Sequence, residues 1–238
     1  MHQVQSAGLI YLIPSSLHQE GLHVLPSYIL SAVKKCSVFF VENERTARRY
    51  LKQLDKQIVI DDYQWLTIGK AEENVVQQFR QKIAEGKNIG IISEAGCPGI
   101  ADPGQLLVAA AQEIDAEIVP LVGPSSILLA LMASGMNGQQ FSFVGYLPID
   151  SQQRIKAIRD LETESKKKNC TQVFIETPYR NNQLLESLLK NCQPQTKICI
   201  AANITGPNQF IKTKTVGLWK KETVDLHKMP VIFLLHSI

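Results

Sequence analysis

Along the chain, short and wholly apolar runs alternate with longer segments whose apolar residues recur every three or four positions. Leu9 to Ile13, Val38 to Val41 and Ile89 to Ile92 are of the first kind, and such runs predict buried strands, with Glu117 to Leu121 making another strand. Pro26 opens a helical segment with Leu30 and Val33 turned inward, closing on Lys34 and Lys35. Val75, Val76, Phe79 and Ile83 keep helical spacing as far as Gly86, and Leu106, Leu107, Ala110, Ala111 and Ile114 carry another helix to about Asp115. Ile58 to Ile60 is one more apolar run. Strand–helix alternation of this kind predicts a parallel sheet covered by helices on both faces.

Past Pro124 the rhythm changes. Ile127, Leu128, Leu131 and Met132 predict a helix that Ser125 or Ser126 can cap. A strand from Phe141 to Tyr146, a polar helix from about Ser151 to Lys168, a strand from Val173 to Ile175 and a helix through Leu184, Leu185, Leu188 and Leu189 follow. The tail holds three strand candidates, Ile198 to Ala201, Phe210 to Leu218 and Val231 to Leu235. No clear helix separates them, which predicts antiparallel pairing. The expected fold is therefore two-domain α/β: residues 1–121 around a mostly parallel sheet, residues 122–238 around a mixed one, with the ligand cleft between them.

Composition narrows the class without naming a function. A hydrophobic content of 45% and a charged content of 20% suit a globular chain with a sizeable core. No apolar stretch reaches the ~20 residues that cross a bilayer, and the N-terminus lacks a secretory pattern. The five cysteines are scattered and unpaired by spacing, so neither a disulfide framework nor a zinc site is expected, and the reading is cytoplasmic. His2, His18, His23, His227 and His236 show no ligand spacing, so no metal is expected. A net charge of +3 permits an anionic partner such as RNA and does not require one. Arg48 and Arg49, and the run Lys166 to Lys168, read as solvated helix faces and ends.

The chemistry concentrates between Gly90 and Gly104, G-I-I-S-E-A-G-C-P-G-I-A-D-P-G. Gly96, Pro98, Gly99, Pro103 and Gly104 supply more turn residues than a strand-to-helix connection needs, and Glu94 and Asp102 add two carboxylates. Pro103 is placed to open the next helix behind an Asp102 cap. Glycines let backbone amides approach a ligand closely, beyond a strand's carboxyl end, where α/β proteins bind small molecules. Cys97 reads as a small loop residue rather than a nucleophile.

Several landmarks together resemble one family. They are Pro14 after the first strand, Glu42-Asn43-Glu44-Arg45, Ser93 to Pro98 leading into Asp102-Pro103-Gly104, Gly123-Pro124-Ser125, Gly145 to Pro148, and Glu176-Thr177-Pro178-Tyr179-Arg180. In order and spacing they resemble the S-adenosylmethionine-dependent tetrapyrrole methylases, most closely the branch that methylates a cytidine 2′-hydroxyl of small-subunit ribosomal RNA. The resemblance implies a homodimer. It also implies a donor, S-adenosylmethionine, held largely by backbone at Pro14, at Glu94, Ala95, Gly96, Cys97, Asp102, Pro103 and Gly104, at Pro124, Ser125 and Ser126, and at Thr177. On the acceptor side it points to Glu42, to accept the proton or orient the nucleophile, and Arg45, to hold a phosphate. The chain departs from that branch where E-D-T-R becomes Glu42-Asn43-Glu44-Arg45 and where Ala202-Asn203 replaces an Arg-Glu pair. It departs again where His227 to Pro230 replaces a Lys-Gly-Glu segment, Met229 included, and where Gly69 to Asn74 replaces a His-rich stretch. These changes leave two alternatives beside RNA methylation: a methyltransferase for a tetrapyrrole or other small molecule, and a non-catalytic protein that binds the donor.

Overall fold

A computed structural model describes residues 8–69 and 72–237, without the side chains of residues 72 and 73. His2, Lys70 and Ala71 lie outside the described residues. The chain divides into two compact units, Met1–Pro124 and Ser125–Ile238.

The first unit runs β1 (Ile10–Ile13), α1 (Tyr28–Val33), β2 (Val38–Val41), α2 (Glu44–Leu54), β3 (Gln64–Thr67), α3 (Glu72–Ala84), β4 (Ile89–Ile92), α4 (Gly104–Gln112) and β5 (Ile118–Pro120). Its five strands are all parallel, in the order β3-β2-β4-β1-β5. Side chains alternate across this sheet, so each four-residue run feeds two cores. Ile10, Val38, Phe40, Ile89 and Ile91 pack with Phe79, Ile83, Leu107, Ala110 and Ala111 on one face. Tyr11, Ile13, Phe39, Val41 and Ile92 pack with Ile29, Ala32, Val33, Ala47, Tyr50 and Leu51 on the other. Gly90 lies where a Cβ would come within 2.5 Å of the Phe39 ring, so only glycine lets that ring lie across β4.

One expectation needs correction here. Ile58 to Ile60 is not a strand: Ile58 is a buried anchor, and a short 3-10 turn starts at Ile60. The third strand is β3, a half-buried edge strand whose polar ends hid it from the apolar pattern. In α1 the buried residues are Ile29, Ala32 and Val33, and Leu30 is half-buried against the same core.

The second unit runs α5 (Ser126–Ser134), β6 (Phe141–Tyr146), α6 (Ser151–Lys168), β7 (Thr171–Ile175), α7 (Asn181–Asn191), β8 (Lys197–Ala202), β9 (Phe210–Thr215), α8 (Val216–Trp219) and β10 (Val231–His236). The sheet order is β6-β7-β10-β8-β9; β6 and β7 are parallel and the other pairings antiparallel. Ile158 and Leu161 of α6 and Leu184, Leu185 and Leu188 of α7 pack on Phe174, Phe233, Ile198, Ile200 and Leu235. The expected strand from Phe210 to Leu218 stops at Thr215, whose hydroxyl accepts the Leu218 N–H and starts α8. Within α5, Leu131 is buried but Leu128 and Met132 are exposed, so the inward face is Ala130, Leu131 and Ser134. Among the described residues no helix is long and apolar enough to cross a membrane, and no group of three or more His, Cys, Asp or Glu could hold a metal ion.

Candidate functional site

The carboxyl ends of β1, β4 and β2, three adjacent strands, are tied together by side-chain and backbone hydrogen bonds. Ser15 and Gly96 exchange backbone bonds, Ser15 N–H to Gly96 O at 2.9 Å and Gly96 N–H to Ser15 O at 3.3 Å. The buried Ser15 hydroxyl donates to Ser93 O at 3.1 Å. From α2, the buried Tyr50 hydroxyl reaches back to Pro14 O at 2.6 Å. At the end of β2, Glu42 Oε1 accepts the Glu94 N–H at 2.9 Å. Gly123 packs on Pro14 so closely that a Cβ would come within 2.1 Å of it, which brings the end of β5 to the same place.

The loop from Glu94 to Gly104 is shaped by its own carboxylate. Asp102 accepts the Gly99 N–H at 2.9 and 3.0 Å and the Gly104 N–H at 2.7 Å. The helix begins one residue later than expected, at Gly104 with Pro103 ahead of it, and Asp102 satisfies its first amide. Gly96 and Gly99 adopt φ of +79° and +82°, where a side chain is strained. The thiol of Cys97 lies 3.6 and 3.5 Å from the Gly123 and Pro124 carbonyls, and burial, then Asp102, push its pKa up. That is a neutral, structural thiol, in keeping with the small-residue reading.

Electrostatically, the described residues of the site place carboxylates close together. Burial raises the pKa of Glu42; the Glu94 N–H opposes this, while Asp102 and Glu94 add to the rise. Asp102 is likewise raised, burial outweighing its bonds from Gly99 and Gly104. Arg45 is exposed and makes no ion pair with Glu42 among the described residues. Glu42 is thus a partly desolvated carboxylate with one oxygen bonded to backbone and no cation paired with it among the described residues. The amides of Ala95, Cys97, Ala101 and Asp102 make no hydrogen bond among the described residues. Donors of that kind fit a ligand held by backbone.

Arg48 is only partly solvated, its side chain 41% exposed. It pairs with Glu44 at 2.5 Å, lies over the Trp65 ring at 5.5 Å, and buries an Nε that finds no partner. Asn43 caps α2, its side chain accepting the Thr46 N–H at 3.2 Å. Asn caps a helix as well as Asp does, so the change from E-D-T-R costs the fold nothing at this position.

The remaining candidates belong to the second unit. Ser125 caps α5 by accepting the Leu128 N–H at 3.5 Å, and Ser126 is the first helical residue. Thr177 donates its N–H to Glu176 at 2.6 Å, and the same oxygen takes two bonds from Arg180, at 3.1 and 2.6 Å. Asn181 ties this turn to Met229 O at 2.7 Å, and Lys228 N–H bonds Pro178 O at 3.0 Å. Asn203 stands at φ +50°, a left-handed conformation that Asn tolerates, with its N–H on Pro230 O at 3.0 Å. Ser15, Ser93 and Tyr50 were not expected as site residues. Ser93 lay within a recognised motif, whereas Tyr50 reads in sequence as one more apolar helix position.

The sequence profile of the tetrapyrrole (corrin/porphyrin) methylases matches residues 29–218. Ribosomal RNA small subunit methyltransferase I of Escherichia coli is 30% identical, over 100% of this chain and 82% of that protein. The protein of that name from Vibrio cholerae is 27% identical, over 97% of this chain and 78% of its own. Among solved structures, the methyltransferase CobJ superposes with a TM-score of 0.64 and 17% identity, covering 97% of this chain and 95% of CobJ; that likeness shows the fold alone. On the profile and the full-length relatives together, the chain belongs to the tetrapyrrole (corrin/porphyrin) methylase family and is a methyltransferase.

Proposed function

We propose that the chain transfers a methyl group from S-adenosylmethionine to a ribose hydroxyl of small-subunit ribosomal RNA. The donor supplies a methyl already activated on a sulfonium, so the protein's task is alignment and proton removal. The backbone from Glu94 to Gly104, braced by Asp102 and by the Ser15–Gly96 bridge, is the proposed donor cradle, with Pro14 and Pro124 beside it. The parts assigned to Ser125, Ser126 and Thr177 rest on the family resemblance. The proposed acceptor-side residues are Glu42, which holds the ribose hydroxyl and takes its proton, and Arg45, which holds a phosphate.

One observation carries this reading. Glu42 is a desolvated carboxylate, unpaired with any cation among the described residues, hydrogen-bonded to the first residue of the cradle. A carboxylate held there is poised for a proton that a poor nucleophile must lose. The names of the relatives support RNA as the acceptor. So does the charge of the second unit, whose fourteen lysines and arginines outnumber eight aspartates and glutamates. A homodimer and a cytoplasmic location are proposed from the resemblance.

The test is transfer of labelled methyl from S-adenosylmethionine to small ribosomal subunits that lack the modification, followed by nuclease digestion. Label on a 2′-O-methyl ribonucleoside supports the proposal. Label on a base, or none on RNA together with transfer to a tetrapyrrole, replaces it with the small-molecule reading.

A further inference from the structure

Helix α2 breaks the charge pattern of the unit that carries it. Residues 1–124 hold eleven lysines and arginines against fourteen aspartates and glutamates, a net negative unit. Four of those eleven, Arg45, Arg48, Arg49 and Lys52, fall within α2, against one carboxylate, Glu44. Their roles differ. Arg48 is committed to the fold: it pairs with Glu44, covers the Trp65 ring and is half-buried. Arg45, Arg49 and Lys52 are exposed and make no ion pair among the described residues. Lys52 only donates to the Lys56 carbonyl, at 3.1 Å.

Helical geometry puts the three free cations on one line. At 1.5 Å per residue, Arg49 lies about 6 Å and Lys52 about 10 Å along the axis from Arg45, all within roughly 60° around it. The opposite face, Ala47, Tyr50 and Leu51, is buried, so the stripe points outward. Its N-terminal end is the Asn43 cap, one residue from Glu42, whose carboxylate holds the Glu94 amide. Arg45 also sits in the first turn, at the positive end of the helix dipole, where a cation costs stability. A local rule broken without structural compensation marks a functional position.

We propose that the outer face of α2 is a track for the phosphodiester backbone of the RNA acceptor. Arg45, Arg49 and Lys52 hold successive phosphates and lead the strand to Glu42. Successive cations a turn apart follow an extended polyanion, whereas one small anion needs them convergent. This rests on the proposed RNA activity and adds to it the residues that hold the strand, with Arg48 excluded as a strut.

The experiment is equilibrium binding of a fluorescently labelled single-stranded RNA over a salt series, with the full chain and with the Arg49→Gln/Lys52→Gln variant. Two lost phosphate contacts reduce the slope of log K against log salt by about 1.4. Affinity for S-adenosylhomocysteine stays at the parent value and the thermal midpoint changes little, because neither side chain is buried or ion-paired and Lys52 gives up only its exposed bond to the Lys56 carbonyl. Arg48→Gln lowers the midpoint and leaves the slope unchanged. An unchanged slope in the double variant, or a larger slope change in Arg48→Gln, overturns the track. Failure of the parent protein to methylate ribosomal RNA defeats the wider reading instead. Methylation by the parent, with the double variant keeping its slope and KM, defeats the track alone.

Discussion

Glu42 and Glu176 each stand just past the carboxyl end of a buried strand, β2 and β7, and each opens a strand-to-helix connection. Their surroundings differ in one respect. Glu176 has a buried side chain and accepts three bonds on one oxygen, from its own following amide and twice from Arg180 four residues on. Glu42 accepts one backbone amide from another strand's loop, and its charged neighbours are Asp102 and Glu94. A buried carboxylate with its cation is a structural clasp; removing one partner leaves an uncompensated charge. A carboxylate crowded by like charges keeps its basicity for something else. The same residue type at the same kind of place thus serves the fold in one unit and, in the proposed mechanism, the reaction in the other.

Substitutions sharpen that contrast. Glu42→Gln keeps the size of the side chain and removes its charge. It is expected to slow methyl transfer by 10² to 10⁴, the usual worth of a general base, roughly 3–5 kcal/mol of barrier. Single-turnover labelling reads this, and a slowing of less than tenfold would make Glu42 a brace like Glu176. Arg180→Ala should do the reverse, costing about 3 kcal/mol in urea unfolding with the rate of transfer in the folded fraction kept within a fewfold. Asp102→Ala frees the Gly99 and Gly104 amides at the cradle. A loss of about 2 kcal/mol is expected, with donor affinity down tenfold or more.

Acidity gives a further handle on Glu42. Burial first, and then Asp102 and Glu94, hold Glu42 above the ordinary range for glutamate, against the pull of the Glu94 amide. The proposed reaction needs it ionised, so the acid limb of the rate profile should fall off at a higher pH than an exposed glutamate would give. Glu42→Gln should lose that limb. The same shift has a stability sign. Between the unfolded and the raised folded value, the native state binds more protons, so stability falls as pH rises through that window. The smallest effect concerns a candidate that the structure explains as a cap: Ser125→Ala should cost about 0.5–1 kcal/mol through the amide it leaves unbonded at the start of α5.

Legibility followed physical cause. Strands β2 and β4 were visible because both of their faces are buried, and α6 because its polar face and Lys166–Lys168 end follow helix rules. The edge strand β3 buries only half of its residues and leaves no such run. The motif from Ser93 to Gly104 announced itself through glycine and proline, whose backbone needs are local. Tyr50 did not: its hydroxyl meets Pro14 across thirty-six residues of sequence, and nothing in a helical pattern separates a core tyrosine from one that braces a loop. Asn43, at the departure from E-D-T-R, caps its helix as an aspartate would. Glu44, at the next departure, is the partner of Arg48.

The central claim is a division of labour at one cluster of strand ends, with the Asp102-braced loop holding the donor and Glu42 serving the acceptor. Calorimetric titration of S-adenosylhomocysteine into the parent chain, Glu42→Gln and Asp102→Ala tests it most directly. The account predicts one site per chain, equal affinity for the parent and Glu42→Gln, and binding at least tenfold weaker for Asp102→Ala. No binding by the parent, or loss of binding in Glu42→Gln with Asp102→Ala unaffected, would contradict it.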